Sequence, residues 1–230
     1  MKRIVMMAVA ACLCMAVQAQ HVAGEFFFVP KVGVDLSKFT NDNIYTGANL
    51  SSVVKPSYKE GLTAGVDVEY FFHAHGSLSA GTYYMNMGSR HKDYMEEGED
   101  GGEGFSRSHT TLEYLQVPVM GGLYFDNGLA VKTGIQMGWL IHSKTYMEMQ
   151  SWTFNEDDSR NYQEPIKMDG DINDEWKQKF YFGIPVALSY EYQNVVLEAR
   201  YVRSLTHPLK SDTYSNSHHS TFVFTVGYRL

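Results

Sequence analysis

Apolar and polar residues alternate along most of the chain after position 25, most sharply at its end. Phe222, Phe224, Val226, Tyr228 and Leu230 fall on one side; Thr221, Val223, Thr225, Gly227 and Arg229 fall on the other. The first side is too apolar for water and the second too small or polar for an ordinary core, so the strand reads as lipid-facing outside and lumen-facing inside. Period two places seven further strands: Phe26 to Phe39, Tyr58 to Phe72, Ser77 to Ser89, Thr110 to Phe125, one from Leu129 with Ile141 still outward, Gln178 to Tyr192, and Val195 to Leu205. The terminal strand, His218 to Leu230, is the eighth. The facing of the third stays open, because Tyr83 and Tyr84 compete for the outer side. Asp126-Asn127-Gly128 is a tight-turn signal, since Asn and Gly tolerate positive φ. Long connections follow strands one, three, five and seven, and turns of a few residues follow two, four and six. The predicted fold class is therefore all-β: an eight-stranded antiparallel transmembrane β-barrel with short periplasmic turns and long extracellular loops.

The N-terminus agrees with export. Lys2 and Arg3 precede an apolar run from Ile4 to Val17, and Val17 and Ala19 suit the −3 and −1 positions of a signal-peptidase site before Gln20. This divides the chain into a signal peptide, 1–19, and a barrel domain, 20–230. A rival reading takes Val9-Ala10-Ala11-Cys12 as a lipoprotein box, with an unusually short apolar core. Nothing later approaches the roughly 20 apolar residues of a membrane helix, so any membrane segment is β. Both cysteines, Cys12 and Cys14, fall in the leader, and the mature chain has no disulfide. Removing Lys2 and Arg3 leaves 17 basic residues against 26 acidic ones, a net charge of −9, which excludes a nucleic-acid binder by charge. The 20 Gly, 16 Tyr and 13 Phe suit crowded lumen positions and interfacial aromatic girdles.

The strands carry one charge constellation, and it lies on the inner face. Lys31, Asp35, Asp67, Glu69, Lys132, Glu191, Glu198, Arg200 and Arg229 all point to the lumen by alternation. An eight-stranded barrel is only just wide enough for side chains, and a lone buried charge is costly, so these groups are expected to pair as a structural network that plugs the lumen.

Catalytic and metal chemistry find less support. His109, His142, His207, His218 and His219 lie near strand ends, and His218-His219-Ser220 has the His-x-Ser spacing of lipid A deacylase barrels, but the flanking residues differ. An enzyme acting on lipid at the outer rim is thus an alternative, and no catalytic residue is assigned. His73-x-His75 lacks a third ligand, and Asp169-Gly170-Asp171-Ile172-Asn173-Asp174-Glu175 departs from a calcium loop at its sixth and twelfth places, so no metal or cofactor is assigned. Residues 91–108, with Glu96, Glu97, Glu99, Asp100 and Glu103 among glycines, read as a mobile acidic loop. Residues 143–177, with Trp152, Phe154, Tyr162 and Trp176, are too long for a plain hairpin and suggest that strands five and six extend beyond the membrane. A soluble exported lipocalin-like ligand binder would reverse the two faces; Gly, Ala and Ser on the minor face favour the membrane.

Four motifs carry a family resemblance. Tyr114-Leu115-Gln116-Val117-Pro118, Lys179-Phe180-Tyr181-Phe182-Gly183, Leu197-Glu198-Ala199-Arg200-Tyr201 and Val226-Gly227-Tyr228-Arg229-Leu230 resemble the PorT-like small outer-membrane β-barrel family of Bacteroidetes over nearly the whole mature chain. The resemblance implies a non-enzymatic barrel in the outer membrane of a Gram-negative bacterium, inserted by the barrel assembly machinery. PorT itself is linked to protein secretion and gliding, a role no feature here selects. Expected partners are outer-membrane lipid and lipopolysaccharide, and a protein or glycan at the extracellular loops.

Overall fold

The computed structural model describes residues 21–47, 51–157, 159–173, 177–207 and 217–230; the leader assigned to 1–19 lies outside the described residues. Eight long strands form the wall: β1 (Phe26–Phe39), β2 (Lys59–His73), β3 (Gly76–His91), β4 (Gly101–Tyr124), β5 (Leu129–Phe154), β6 (Phe180–Tyr192), β7 (Val195–Ser204) and β8 (His219–Tyr228). Each pairs antiparallel with the next, and β8 returns to β1 from Lys31↔Gly227 to Phe39↔His219. Closure leaves no strand edge to be satisfied in hydrocarbon.

The pleat sorts the side chains as the alternation requires. Outward residues such as Leu62, Leu123 and Ile135 are exposed, whereas Lys31, Asp67 and Glu198 on the opposite face are buried. This orientation is the reverse of a lipocalin. Tyr83 is buried and Tyr84 exposed, which settles β3: a Cβ at Gly65, across the β2–β3 ladder, would collide with the Tyr83 ring. Glycine there makes room for an inward tyrosine. The short turns fall at Ala74-His75, Asp126-Asn127-Gly128 and Gln193-Asn194, with positive φ at Gly128 (81°) and Gln193 (54°).

Two expectations are corrected on the extracellular side. The segment 91–108 is not a loop: Tyr94–Glu97 is a strand, and β4 already begins at Gly101. Its glycines and acids suggested mobility, but Gly102 and Gly104 lie so close to Trp152 and Met95 that a side chain would collide there, and non-local pairing with β5 overrides local composition. Second, β5 extends to Phe154 as expected, but its companion is β4; β6 starts only at Phe180. On the other side of the extended β5 lie two further strands, Arg160–Tyr162 and Ile166–Asp171. Register shifts between Ser106 and His109 and between Glu113 and Tyr114 mark the passage from wall to projection.

Candidate functional site

The lumen brings eight of the nine sequence-derived charges into contact. Lys31 on β1 lies 2.8 Å from Asp67 on β2 and 2.7 Å from Glu198 on β7. Two residues along β7, Arg200 reaches Glu198 Oε1 at 2.6 Å, so one carboxylate joins two cations. Farther toward the periplasm, Glu69 accepts from Lys132 at 2.8 Å and lies 3.1 Å from Arg229, whose guanidinium also meets Glu191 at 2.9 Å. Four cations thus face four carboxylates. Neutral donors add to the shell, with Tyr83 OH donating to Asp67 at 2.6 Å and Ser77 and Tyr124 hydroxyls to Glu69 at 2.8 and 2.7 Å, while Asp67 Oδ1 and Arg229 Nη1 have no hydrogen-bond partner among the described residues. Such supplementary bonds are what a buried ion pair needs to offset desolvation.

Asp35 is the ninth charge and departs from the expected pairing. It is fully buried, yet neither carboxyl oxygen has a hydrogen-bond partner among the described residues. The reason is local: Lys59 shares the inward parity of Ser37, its ladder partner, but its ammonium lies 2.9 Å from Asn86 Oδ1 instead.

Aromatic layers bound the ion pairs. On the periplasmic side His21 stacks on Phe71 with ring centroids 3.9 Å apart and lies 3.3 Å from Glu191, and the Arg229 guanidinium sits 4.9 Å from the Phe27 ring. On the extracellular side Phe39, Met85, Met87, Leu112, Tyr114 and Tyr181 form one buried cluster, against which Leu140 and the loop residue Ile172 pack. Sequence alternation marked Phe39, Leu112, Tyr114 and Tyr181 as inward, left Met85 and Met87 open with the facing of the third strand, and did not single out His21, Tyr83 or Tyr124 as partners of the charges. The signal available was the inward parity of Tyr124 with Gln116 and Met120 on the fourth strand.

Two of the rim histidines, His207 and His218, lie together with ring centroids 4.8 Å apart. His219 is buried beside Tyr114, with Nε2 and the hydroxyl 3.3 Å apart, while His207 and His218 each use Nδ1 on a backbone carbonyl. In the suggested calcium loop, Asp169 lies 3.0 Å from Lys144 and Asp171 3.8 Å from His142; Asp174 and Glu175 fall outside the described residues. His75 lies 3.8 Å from Asp126 in the neighbouring turn. On the projection, Tyr146 donates to Glu148 and Arg107 lies 3.2 Å away; this bond and the adjacent guanidinium hold the Glu148 carboxyl below the usual range.

A closed antiparallel wall of eight strands, apolar outside and charged within, defines a small outer-membrane β-barrel protein. More particularly, the chain belongs to the outer membrane protein beta-barrel domain family, whose model matches residues 18–209. Among solved structures it is similar to Ail, the attachment invasion locus protein of Yersinia pestis, at 15% identity, covering 91% of this chain and 100% of that one with a TM-score of 0.42. It is also similar to Neisserial surface protein A, at 10% identity, with 91% and 100% covered and a TM-score of 0.41. A third similar structure is OprG from Pseudomonas aeruginosa, at 10% identity, with 92% and 98% covered and a TM-score of 0.29. No curated protein matches the chain in sequence.

Proposed function

We propose that this outer-membrane barrel is non-enzymatic and non-conducting, and that it presents its β4–β5 projection at the cell surface as an interaction platform. The observation that carries this reading is the construction of the projection. Gly101 to Ser106 of β4 pairs with β5, Tyr94–Glu97 flanks β4, and Arg160–Tyr162 and Ile166–Asp171 flank β5. Arg160 ties the flanks together, meeting Glu97 at 2.5 Å with its guanidinium 5.4 Å from the Trp152 ring. A paired and cross-linked sheet is a rigid display surface rather than a solvated tether. Closure to ions is supported by the contacts among four cations and four carboxylates in the lumen and the aromatic layers on either side.

Residues 1–19 are the proposed signal peptide, the barrel assembly machinery the proposed insertion partner, and the PorT-like group the proposed branch of the family. Crosslinking from intact cells tests the platform directly. Replacing residues 94–108 and 143–171 with short turns is expected to remove the recovered protein or glycan partner while the barrel still inserts; unchanged recovery would refute the role. In planar bilayers the intact protein is expected to give no steady conductance.

A further inference from the structure

We infer that His207 and His218, at the extracellular rim where β7 leads into β8, bind a late first-row divalent transition-metal ion, Cu(II) most tightly, through one nitrogen of each imidazole. This goes beyond the surface-platform reading and does not depend on it.

The backbone brings the two rings together. The β7–β8 ladder ends with Arg203 opposite Ser220. Outward parity continues from there to Leu205 and His207 on one side and to His218 on the other, so the histidines are diagonal neighbours on the outer face, within reach of each other's rings. Each ring is anchored by the other's segment: His207 Nδ1 donates to the Ser217 carbonyl at 3.0 Å, and His218 Nδ1 to the Ser204 carbonyl at 3.0 Å. A carbonyl can only accept, so in both neutral rings the proton sits on Nδ1 and the lone pair on Nε2. Neither Nε2 has a hydrogen-bond partner among the described residues. Metal-bound histidines share this arrangement, with one nitrogen fixed by a carbonyl or carboxylate and the other on the ion. The His218 backbone is itself held, its amide donating to Thr40 Oγ1 at 3.0 Å and its carbonyl accepting the Thr40 amide at 2.9 Å.

Distance and chemistry select the ion. With metal–nitrogen bonds of about 2.0–2.1 Å and about 1.15 Å more to each ring centre, two imidazoles on one ion have centroids about 4.5 Å apart at a right angle and about 5.2 Å apart at the tetrahedral angle. The observed 4.8 Å lies between the two. Neutral imidazole suits Zn, Cu and Ni, and for given ligands affinity peaks at Cu(II). No group of three or more His, Cys, Asp or Glu side chains is placed to hold a metal among the described residues, so the protein supplies two ligands and leaves the other positions to water. Such a site holds an exchangeable ion rather than a structural one. Burial and then the neighbouring His207 hold the His218 ring below the ordinary imidazole range, and Arg203 adds to the effect. The ring is therefore neutral at neutral pH, as a ligand must be, while the Arg203 charge opposes a dication. The other close pair lacks the right tautomer: His73, with its ring 5.7 Å from that of His75, accepts the His75 amide at Nδ1, which puts its proton on Nε2.

The test uses the full barrel in detergent, with folding verified by the migration shift between heated and unheated gel samples. Cu(II) binding is read by titration and by electron paramagnetic resonance. The parent is expected to show two coordinated imidazole nitrogens, and Zn(II) to displace the ion only in excess. His207→Gln and His218→Gln each remove one of the two ligands and are expected to lower the affinity at least about tenfold, leaving one imidazole nitrogen in the spectrum. His207 is exposed and holds only the Ser217 carbonyl by hydrogen bond among the described residues, so its variant is expected to fold. His73→Gln with His75→Gln is the matched control and is expected to bind as the parent does; Arg203→Gln is expected to bind at least as tightly. Unchanged affinity in His207→Gln, or an equal loss in the control pair, overturns the proposal. So does weaker binding in Arg203→Gln, since removing a nearby positive charge cannot weaken a cation site. Displacement of Cu(II) by millimolar Ca(II) would assign the ion to carboxylates and overturn it too.

Discussion

Around Lys31 and Glu69 the lumen is held by charge, whereas around Tyr114 it is held by aromatic rings and methionines; the two regions differ in what they tolerate. In the charged region each carboxylate is positioned by donors from several strands, and removing one leaves buried cations facing each other. In the extracellular cluster the contacts are non-directional, and methionine side chains refill gaps. The same wall thus encloses one region that is specific and brittle and another that is adaptable.

The largest expected effect lies in the charged region. Glu198→Gln preserves shape but strips the charge that joins Lys31 to Arg200, and is expected to cost about 3–5 kcal/mol. Denaturant unfolding of the barrel from lipid vesicles measures it; an unchanged midpoint would mean that Lys31 and Arg200 are satisfied without Glu198. Asp35 breaks the comparison in the opposite direction. Its buried carboxyl has no hydrogen-bond partner among the described residues, so Asp35→Asn is expected to stabilise the barrel by about 1–3 kcal/mol in the same assay. Destabilisation there would show that Lys59 supports Asp35 electrostatically. Smaller again, Leu112→Met in the extracellular cluster is expected to cost less than about 1.5 kcal/mol, since volume-conserving swaps repack.

These contrasts also mark how far the sequence is legible. Alternation of period two locates β1 without error and β6, β7 and β8 within two residues, because one face meets lipid and the other a narrow lumen. It assigns Lys31, Asp67, Glu198 and Arg229 inward for the same reason. Alternation says nothing about partners: Asp35 and Asp67 look equivalent along the chain, and only the crossing of β1 with β2 and β7 separates the paired carboxylate from the unpaired one. The projection was hidden differently. Gly101, Gly102 and Gly104 among acids read as loop, and the strand they belong to exists because Trp152 and its neighbours on β5 lie against them.

The smallest predicted effect concerns the projection. Glu148 carries a depressed carboxyl pKa in the folded state, caused first by the Tyr146 hydroxyl and then by Arg107. A depressed acid contributes stability above its unfolded pKa, about 4.3 for Glu, and loses it as pH falls through the folded value. Acidification below the ordinary carboxylate range is therefore expected to loosen the pairing of Phe105 and Ser106 with Met149 and Glu148, while the wall strands between Leu115 and Val131 stay protected. Arg107 is exposed, where salt screens it, although Glu148 is largely covered, so the change is small and is best read as amide exchange corrected for intrinsic rates. Glu148→Gln is expected to abolish the acid response without altering exchange in the wall. If that variant responds to acid as the parent does, the titrating group lies elsewhere on the projection.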